Sequence, residues 1–382
     1  MYSLSDYGSM INDDVRTGSY WQALRRLVTP DSIVLDLGTG TGIFALLACQ
    51  LGARRVYAVE PADIVEIARQ IAAACGFEKR IDFIQDVSTQ VQIPEKVNII
   101  VSDLRGVLPL CGKSLLSIID ARRRFLAPGG NMIPQEDTLW MAVVAAPEVF
   151  KCVTHPWSEN AFGLKMDAAQ RMMANTSMKS RVTSDQFLTA RQCWANLDYA
   201  TVQDPNLSSE VSLDVVRSGT THGFIVWFDS KLAEGVSFSN GPENPELIYG
   251  SAFFPMAEPV EVKPGDVIKL LLNADLVSGE YIWRWRTRIF QSGNSKEPIT
   301  SLSQSTFFSL PLSKSRLHKA ASTHVPVLNH DGEMRKLILS LMNGKATLGQ
   351  IARAVSDEYP ERFSNWVEAL AEVSELSQKY AR

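Results

Sequence analysis

An alternation of short apolar runs with helical patterns between Ile33 and Val144 most strongly limits how this chain can fold. Runs such as SIVLDLG, RVYAVEP, IDFIQD and VNIIVSD are typical of buried strands. Segments with helical spacing lie between them, among them FALLACQLGA, ADIVEIARQIAAA and SLLSIIDARRRFL. Strands that alternate with helices form a parallel sheet that helices cover on both faces. We therefore expect residues 1–145 to form a Rossmann-like α/β domain.

A different pattern begins near Thr189 and continues to Phe290. Strand-like segments such as CWANLDYATV, HGFIVWFDSKL and YIWRWRTRIF are separated by glycine, proline and asparagine, which is typical of antiparallel sheets. We expect an antiparallel β-barrel-like domain over residues 146–290. Methionine and alanine recur at helical spacing early in this range, so we expect an inserted helical arm at about 158–182.

The remainder of the chain predicts a linker and a small helical domain. The segment QSGNSKEPITSLSQST is polar and rich in serine, and we place a linker at residues 291–323. Residues 324–382 contain the pattern of three short amphipathic helices. The fold class is therefore a Rossmann-like α/β domain, an antiparallel β-barrel-like domain and a small, mainly helical C-terminal domain.

Size and composition exclude several classes of protein. The chain has 382 residues, enough for two or three cores, and its net charge of -4 gives no long-range attraction to nucleic acid. We interpret the basic run at 121–125 as a solvated helix end. The five cysteines are scattered, so we expect neither disulfides nor a metal site. No signal-like N-terminus or long apolar run is present, so we expect a cytoplasmic protein with no membrane partner.

A glycine-rich turn indicates a nucleoside cofactor. Gly38, Gly40 and Gly42 follow a predicted strand and precede a predicted helix in VLDLGTGTG. Glycines allow a tight turn and let a cofactor lie against bare backbone at a helix N-terminus. Glu60 ends the next predicted strand, where a carboxylate suits both hydroxyls of a ribose. Dinucleotide and adenosylmethionine sites share these features, so the turn alone leaves both open.

The surrounding sequence resembles the catalytic core of the protein arginine methyltransferases. The likeness is carried by NDDVRTGSYWQAL, by the stretch from VLDLGTGTG through VNIIVSD, and by LAPGG. VWFD and FFPMAEPVEVKPGD are similar to that family's barrel, so the resemblance spans roughly residues 5–290. It implies a methyltransferase that uses S-adenosyl-L-methionine. It also implies a two-fold homodimer that is formed through the inserted arm.

The resemblance implies a set of cofactor-binding residues. Arg16 pairs with the methionine carboxylate of S-adenosylmethionine in this interpretation, and Glu60 holds the ribose. Elementary chemistry agrees, because a guanidinium suits a carboxylate and a carboxylate suits a diol. The other residues that the resemblance implies in cofactor binding are Met10, Asp36, Gly38, Gly40, Asp86, Val87 and Ser102.

The loop SDLRGVLPLCGKSLL, residues 102–116, departs from the family. Arginine methyltransferases place two glutamates on this loop, and paired carboxylates grip a guanidinium by bidentate hydrogen bonds. Here the first position is Asp103, and the second falls on Gly112 or Lys113, neither of which is acidic. Arg105 adds a positive charge to the same loop, which would repel an arginine substrate.

The predicted barrel contains a second departure. The family's Thr-His-Trp loop, which helps to build the acceptor pocket, aligns with Leu247, Ile248 and Tyr249 in NPELIYGSAFF. The histidine is therefore absent from this chain. Two departures at acceptor positions beside a complete donor motif predict that the cofactor is retained and the substrate has changed.

These observations favour a methyltransferase for a nitrogen or oxygen of a peptide or small metabolite that is not a guanidinium. We expect Asp103 and Arg105 to be its catalytic residues, with Asp103 orienting or deprotonating the acceptor. One alternative is a divergent arginine methyltransferase, in which Asp229 or Glu246 supplies the second carboxylate. The other is a non-catalytic interaction protein that binds S-adenosylmethionine only as a ligand.

The C-terminal segment DGEMRKLILSLMNGKATLGQIARAVSDEYP is similar to small domains of the PqqD type, named after the PQQ-biosynthesis D protein. Such domains grip leader segments of ribosomally made peptides, so the resemblance implies a peptide partner. A helix-turn-helix contact with DNA is the alternative. The stretch TLGQIARAVSDEYPERF balances acidic and basic residues, which favours a protein partner over phosphates.

Overall fold

The computed structural model describes residues 2–158, 162–293 and 296–381 of the chain. Residues up to Leu310 form one compact unit, and residues from Pro311 onward form another. The strands are β1 (Ile33–Leu37), β2 (Arg55–Val59), β3 (Ile81–Ile84), β4 (Val97–Ser102), β5 (Leu126–Ile133), β6 (Glu136–Val144), β7 (Met178–Ser180), β8 (Gln192–Asp198), β9 (Leu207–Asp214), β10 (Gly219–Ala233), β11 (Val236–Ser239), β12 (Ser251–Val262), β13 (Val267–Val277), β14 (Glu280–Phe290) and β15 (Thr300–Ser305). The helices are α1 (Leu4–Ile11), α2 (Asp14–Leu27), α3 (Ile43–Gln50), α4 (Val65–Ala74), α5 (Ser114–Phe125), α6 (Pro147–Ser158), α7 (Asp167–Met173), α8 (Lys314–Ala320), α9 (His330–Leu341), α10 (Leu348–Glu358) and α11 (Trp366–Tyr380).

The first five strands form a parallel sheet in the order β3-β2-β1-β4-β5. Helices α3, α4 and α5 connect its strands, as the alternating pattern predicted. The strand order reverses between β1 and β4, and ligands of open α/β sheets bind at the carboxyl ends of strands at such a switch point. The glycine turn follows β1 and the loop with Asp103 follows β4. The topology therefore brings the two sequence motifs to one crevice.

Two antiparallel sheets follow, in the orders β7-β12-β10-β6-β8 and β15-β14-β13-β9. Strand β6 belongs to the first of them, because it pairs antiparallel with β10 from Glu136 opposite Lys231 to Val144 opposite Gly223. The sequence pattern predicts that residues 1–145, which include β6, form the Rossmann-like domain, and the structure differs for β6. An apolar run identifies a strand, but it carries no information about which sheet the strand joins.

The segment predicted as a linker, 291–323, also differs from the structure. Thr300–Ser305 forms strand β15 on the edge of β14, and Lys314–Ala320 forms helix α8. The strand TSLSQS was missed because serine occupies alternate positions and Leu302 is its one apolar residue. Gln304 nevertheless lies buried, and its side chain donates to the backbone oxygens of Pro255 and Ala174.

A continuous core joins the parallel sheet to the antiparallel sheets. Its hydrophobic cluster includes Leu35 and Ile100 of the parallel sheet together with Phe224, Phe254 and Trp285 of the antiparallel strands. The rings of Phe224 and Phe254 stack with centroids 4.8 Å apart. This shared core fixes the position of the barrel strands against the carboxyl ends of β1 and β4.

The predicted arm, about residues 158–182, follows α6 and contains α7 and β7. Residues 159–161 of the predicted arm lie outside the described residues. The end of the arm is tied to the barrel, because Ser305 donates its backbone N–H to the side-chain oxygen of Asn175 at 2.9 Å. Strand β7 pairs with β12, where Ser180 lies opposite Ser251. Helix α7 itself buries none of its residues.

The basic run at the end of α5 is not the solvated helix end that we expected. Arg122 is buried, and its guanidinium donates to the backbone oxygens of Tyr199 and Val202 at 2.7 and 2.6 Å. Arg124 pairs with Asp120 at 2.6 Å. Arg122 therefore joins α5 to the loop after β8. A run of arginines does not predict such a contact, because charged residues are usually solvated.

The second unit has its own small core. Helices α9, α10 and α11 bury a cluster that includes Met334, Ile351, Val355 and Val373. Each of the three helices begins with a side-chain cap, and Thr347 forms a reciprocal capping box with Gln350. The mainly helical C-terminal domain is confirmed. None of the described helices in either unit combines the length and hydrophobicity needed to cross a membrane.

Candidate active site

A cavity of about 550 Å³ lies at the carboxyl ends of β1, β2 and β4. Residues from the turn after each of these strands form one wall, helix α1 forms another, and the antiparallel strands contribute a third. The lining residues are Tyr2, Asp6, Tyr7, Met10, Ile11, Arg16, Gly38, Thr39, Gly40, Thr41, Ile43, Phe44, Glu60, Pro61, Asp103, Leu104, Arg105, Gly106, Val107, Cys111, Ser114, Lys179, Ile248 and Tyr249. Cavities of this size hold ligands of the size of a nucleoside cofactor.

The glycine turn needs its glycines for two reasons. Gly38 and Gly40 have φ of +76° and +53°, a conformation in which side chains are strained. A Cβ on Gly40 would also lie 2.6 Å from the Cε1 atom of Tyr7, and one on Gly38 would collide with Leu104. Bare backbone therefore forms this wall of the cavity, and a side chain at either glycine would collide with its neighbours.

Glu60 lines the cavity at the end of β2 and is almost fully buried. Its Oε2 accepts the backbone N–H of Gly40 at 3.0 Å, and its Oε1 accepts the backbone N–H of Ala62 at 3.0 Å. Each carboxylate oxygen has two acceptor positions, so each keeps one for a further donor. Two neighbouring acceptors that face a cavity match the two hydroxyls of a ribose.

Arg16 projects from the first turn of α2 into the same cavity. Its Nη1 donates to the backbone oxygen of Met10 at 3.0 Å, which ties α1 to α2. Its Nε and Nη2 both contact Oδ2 of Asp103, at 2.6 and 2.5 Å. Burial by itself lowers the pKa of Arg16, but the Asp103 carboxylate overcomes this effect and raises it. The guanidinium that we expected to face the cofactor thus also holds the acceptor loop.

Asp103 is occupied by donors from this protein. Besides Arg16, the hydroxyl of Tyr249 lies 2.8 Å from both carboxylate oxygens, and the hydroxyl of Tyr20 lies 3.1 Å from Oδ1. Burial raises the pKa of both tyrosines well above the ordinary value, so their hydroxyls stay protonated and donate. Nε of Arg105 lies 3.7 Å from Oδ1. A carboxylate has about four acceptor positions, and these partners use most of them.

Arg105 is buried among partners from the barrel. Its Nη2 contacts the two carboxylate oxygens of Asp137 at 3.0 and 2.9 Å and the hydroxyl of Ser230 at 3.1 Å. Burial by itself lowers the pKa of Arg105, but the Asp137 carboxylate holds it well above its ordinary value. Its Nη1 is buried and has no hydrogen-bond partner among the described residues. The charge expected to repel arginine is therefore partly balanced by an acidic residue from β6.

Four of the predicted cofactor residues lie around the cavity without lining it. Asp86 and Val87 lie in the turn after β3, where Val87 is exposed. Ser102 is buried at the end of β4, and its backbone oxygen accepts the hydroxyl of Tyr20 at 3.0 Å. Asp36 lies within β1 and supports the glycine turn. Met10, Arg16, Gly38, Gly40, Glu60, Asp103 and Arg105 are the predicted residues that line the cavity.

Asp36 supports the turn from below as a fully buried carboxyl group. Its Oδ2 accepts the hydroxyl of Thr39 at 2.5 Å and the backbone N–H of Ala45 at 2.9 Å. Its Oδ1 has no partner among the described residues. Burial raises the pKa of Asp36 to about 7, against the lowering effect of these two hydrogen bonds.

Besides Asp103, the carboxylates that line the cavity among the described residues are Asp6, which accepts from Ser3, and Glu60, which accepts from Gly40 and Ala62; neither belongs to the acceptor loop. Asp229 does not line the cavity, and Glu246 forms an exposed ion pair with Arg181. Gly112 has φ of +50°, so this position favours glycine over a residue with a side chain. Lys113 lies at the start of α5 and does not line the cavity.

Several residues of the site were missed by sequence reasoning. Tyr20, Asp137 and Tyr199 are buried in the network around Asp103 and Arg105, and the hydroxyl of Tyr199 donates to Asp137 at 2.6 Å. Asp137 lies three residues after Pro134 and just before the apolar run of β6, and a charged residue at an inward position of a strand was the available signal. Lys179 reaches the cavity from β7, and nothing in its sequence context indicated this.

These observations fit S-adenosylmethionine. The bare backbone of the glycine turn, the paired acceptors of Glu60 and the guanidinium of Arg16 provide for a nucleoside with a charged amino-acid tail. When bound, this cofactor supplies an electrophilic methyl group on a sulfonium. The residues that would hold it are Arg16, Gly38, Gly40 and Glu60.

Comparison with known proteins identifies the family. The family described as the arginine methyltransferase oligomerization subdomain matches residues 135–277, and the ribosomal protein L11 methyltransferase family matches residues 17–134. Protein arginine N-methyltransferase 1 of Chlamydomonas reinhardtii is 30% identical over 251 residues, which cover 63% of this chain and 72% of that protein. The chain belongs to the protein arginine methyltransferase family. It is an S-adenosylmethionine-dependent methyltransferase, and the interpretation as a non-catalytic interaction protein is not supported.

Other protein arginine methyltransferases give the same result. Protein arginine N-methyltransferase 1 of Dictyostelium discoideum is 28% identical over 277 residues, 70% of this chain and 81% of that protein. The fold is similar to that of Arabidopsis thaliana protein arginine methyltransferase 10, with a TM-score of 0.69, 24% identity, and coverage of 80% of this chain and 98% of that chain. It is also similar to the Trypanosoma brucei PRMT1 enzyme-prozyme complex with AdoHcy, with a TM-score of 0.72, 23% identity, and coverage of 78% and 97%.

Proposed function

We propose that this methyltransferase acts on a nitrogen or oxygen acceptor of a peptide or small metabolite that is not a guanidinium. The observation that carries the proposal is that Asp103 already has internal hydrogen-bond donors. Asp103 is the one carboxylate in the acceptor loop from Ser102 to Leu116. Arg16 and Tyr249 already donate to it, and the hydroxyl of Tyr20 lies 3.1 Å from it and 3.0 Å from the backbone oxygen of Ser102. A substrate guanidinium would have to displace these internal donors before it could bind.

The energetics of buried ions support this reasoning. A buried cation needs a partner of opposite charge, and removing one partner from a buried pair costs about 3 to 5 kcal/mol. A guanidinium that took Asp103 from Arg16 would leave Arg16 with the methionine carboxylate of the cofactor alone as its counter-charge. The loop has no second carboxylate to make good this loss.

The family name favours the alternative, methylation of arginine. The relatives reported above are named protein arginine N-methyltransferases, and this alternative needs a pair of acceptor carboxylates. The two side chains proposed to supply the second carboxylate, Asp229 and Glu246, do not line the cavity. The geometry of the cavity therefore gives arginine methylation less support than the sequence similarity gives it.

We propose that Asp103 is a positioning residue. It fixes the Arg16 guanidinium and the Tyr249 hydroxyl at the boundary between the cofactor and acceptor ends of the cavity. A general base needs an acceptor position that is open to the substrate's proton, and the donors on Asp103 occupy such positions. Orientation of the acceptor is the part of the sequence prediction that this geometry supports.

A turnover assay tests the proposed function. The full chain is incubated with S-adenosylmethionine and with peptides that differ in one residue, carrying arginine, lysine, serine or aspartate at the same position. Formation of S-adenosylhomocysteine with a peptide other than the arginine peptide supports the proposal. Turnover that depends on the arginine peptide alone contradicts it.

We propose that the enzyme assembles as a homodimer through the arm. The match to the family's oligomerization subdomain spans the arm residues and supports assembly. Helix α7 also presents residues on its surface rather than in the core. Light scattering at micromolar concentration is expected to give the mass of two chains, and a mass of one chain would contradict the proposal.

We propose that the C-terminal unit holds a peptide for modification, as the PqqD resemblance implies. Its separate hydrophobic core supports the view that it is an independent domain with its own binding function. Removal of residues 311–382 is expected to raise KM for a peptide acceptor by at least tenfold while it leaves cofactor affinity unchanged. An unchanged KM would argue against a peptide-binding role. The cytoplasmic location stays a prediction.

A further inference from the structure

We infer that Arg105 and Asp137 act together as positioning residues, which hold the acceptor loop against the antiparallel strands and thereby fix Asp103. The sequence predicts Arg105 as a catalytic residue, and its surroundings assign it this different role. The role holds for whichever group accepts the methyl, so it goes beyond the proposed acceptor class and does not depend on it.

The charged end of Arg105 is closed off from the cavity. The side chain is only 2% exposed, and its Nη2 contacts both carboxylate oxygens of Asp137 and the hydroxyl of Ser230. Its guanidinium carbon lies 4.8 Å from the centroid of the Phe228 ring and 5.7 Å from that of Phe238, and the faces of aromatic rings attract a cation. Nη1 is buried as well. A group enclosed in this way does not touch the substrate, so any effect of Arg105 on the reaction passes through its neighbours.

Asp137 is a rigid anchor for this cation. It lies in β6, where its backbone pairs with Ser230 of β10 on one side and with Leu197 of β8 on the other. Asp137 has no exposed surface, and its Oδ2 accepts the hydroxyl of Tyr199 at 2.6 Å. Because strands hold it on both sides, its carboxylate keeps its place while the loop that contains Arg105 is fastened to it.

Arg105 transmits this fixed position to Asp103. Its Nε lies 3.7 Å from Oδ1 of Asp103, and its backbone N–H donates to the backbone oxygen of Asp103 at 2.9 Å. Asp103 in turn contacts Arg16 at the cofactor end of the cavity. Charge therefore alternates along the four side chains from Arg16 to Asp137, and buried opposite charges at such separations attract strongly. A shift of Arg105 displaces Asp103 with it.

The other polar contacts of the loop with the antiparallel strands lie further along. Asn240 donates from Nδ2 to the backbone oxygen of Val107 at 3.3 Å. Between Asp103 and Val107, Arg105 is the residue whose side chain has polar contacts with β6 and β10 among the described residues. Misplacement of a catalytic element by 1 Å costs about 100-fold in rate. Loss of this anchor is therefore expected to reduce turnover without unfolding the protein.

A pair of substitutions separates positioning from stability. Arg105→Met or Asp137→Asn alone leaves a buried charge without its partner, so each single variant is expected to melt at a lower temperature than the wild type. Arg105→Met with Asp137→Asn removes both charges and keeps an acceptor for the Tyr199 hydroxyl, so this double variant is expected to recover most of the loss. The matched control is Arg284→Met with Asp275→Asn, which removes an exposed ion pair between β13 and β14.

Hydrogen exchange of the full chain with bound S-adenosylhomocysteine gives a readout that needs no acceptor. We expect the amides of residues 103–107 to exchange at least tenfold faster in the double variant than in the wild type and the control. Those of the glycine turn, residues 38–42, are expected to keep their rates. Wild-type exchange of the loop in a folded double variant would overturn the inference. Equal loss of protection in the loop and the glycine turn would indicate general loosening and would overturn it as well.

Turnover gives the second readout, with whichever peptide of the series described above is methylated. We expect kcat to fall at least tenfold in the double variant and in each single variant that folds, because the two residues act as one unit. Wild-type kcat in Asp137→Asn together with loss of turnover in Arg105→Met would mean that Arg105 acts on the substrate directly, contrary to the inference. Methylation of the arginine peptide would contradict the proposed acceptor class alone, and the variants are then compared on that peptide.

Tyr199→Phe tests the same network if the double variant does not fold. The change removes the hydroxyl that donates to Asp137 and leaves both charges in place. The control is Tyr57→Phe, which removes a hydroxyl that donates to Glu95 in another part of the chain. We expect faster loop exchange and lower kcat in Tyr199→Phe than in the control. Equal loop exchange and equal kcat in the two variants would overturn the inference.

Discussion

Arg16 donates from Nε to Oδ2 of Asp103 at 2.6 Å, although the two residues lie 87 positions apart in the chain. The contact joins the helix expected to reach the cofactor to the loop expected to reach the acceptor. The acceptor carboxylate of this protein therefore has an internal cation as its partner.

Exchange of Asp103 for Asn tests this contact. The variant leaves Arg16 buried with less compensation, so we expect the free energy of unfolding to fall by about 3 kcal/mol. If Asp103 only positions its partners, kcat decreases but the pH profile of kcat/KM keeps its shape. Loss of the acidic limb of that profile would identify Asp103 as a base. Asp63→Asn, a change outside the cavity, serves as the control.

Glu60 is expected to contribute to cofactor affinity. Glu60→Ala removes the two carboxylate oxygens that we expect to hold the ribose, and loss of a charge-assisted hydrogen bond costs about 1.5 to 3 kcal/mol. Titration calorimetry with S-adenosylmethionine measures the change. Glu66→Ala, on the exposed surface of α4, is the matched control. Equal affinity in the Glu60 variant and the control would refute the assignment.

The glycine turn permits a test of close approach. Gly40→Ala puts a Cβ 2.6 Å from Tyr7, so we expect α1 to be displaced and cofactor affinity to fall at least tenfold. Gly52→Ala is the control, because Gly52 also has positive φ, at +102°, but a Cβ there meets nothing within 4 Å. Both variants carry backbone strain of about 1 kcal/mol. A similar cofactor affinity in the two would show that contact with Tyr7 has no role.

Asp36 predicts a specific dependence of stability on pH. Its pKa rises from 3.8 to about 7 on folding, so the folded state binds the proton more tightly than the unfolded state. The contribution of Asp36 to the free energy of unfolding therefore falls as pH rises from about 4 to 7, by roughly 1 kcal/mol per pH unit. Chemical denaturation should show the wild type losing stability relative to Asp36→Asn over this range. A difference that stays constant with pH would contradict the prediction.

The sequence predicted the parts of this fold that local patterns determine. Alternation of apolar runs with helical spacing identified β1 to β4 and the helices between them, and VLDLGTGTG located the turn with Gly38 and Gly40. Pairing between distant segments was not accessible in this way. Strand β6 was placed in the wrong sheet because its partner β10 lies about 90 residues further along the chain.

The candidate site was predictable to a similar extent. The motif and the family resemblance predicted Arg16 and Glu60 as cofactor-binding residues, and both line the cavity. The partners of the acceptor loop were missed, because Asp137 and Tyr249 come from strands and loops of the antiparallel sheets. A single chain sequence does not show which distant charges will be buried together.

The most direct test of the central claim is mass spectrometry of an arginine-rich peptide after incubation with the unaltered enzyme and excess S-adenosylmethionine. We expect no methylarginine above the level of a reaction without enzyme, because Asp103 is occupied and Gly112 supplies no second carboxylate. The same preparation must bind S-adenosylmethionine by calorimetry, which shows that the donor site is intact. Methylarginine that accumulates over many turnovers would contradict the account and identify the chain as a divergent arginine methyltransferase.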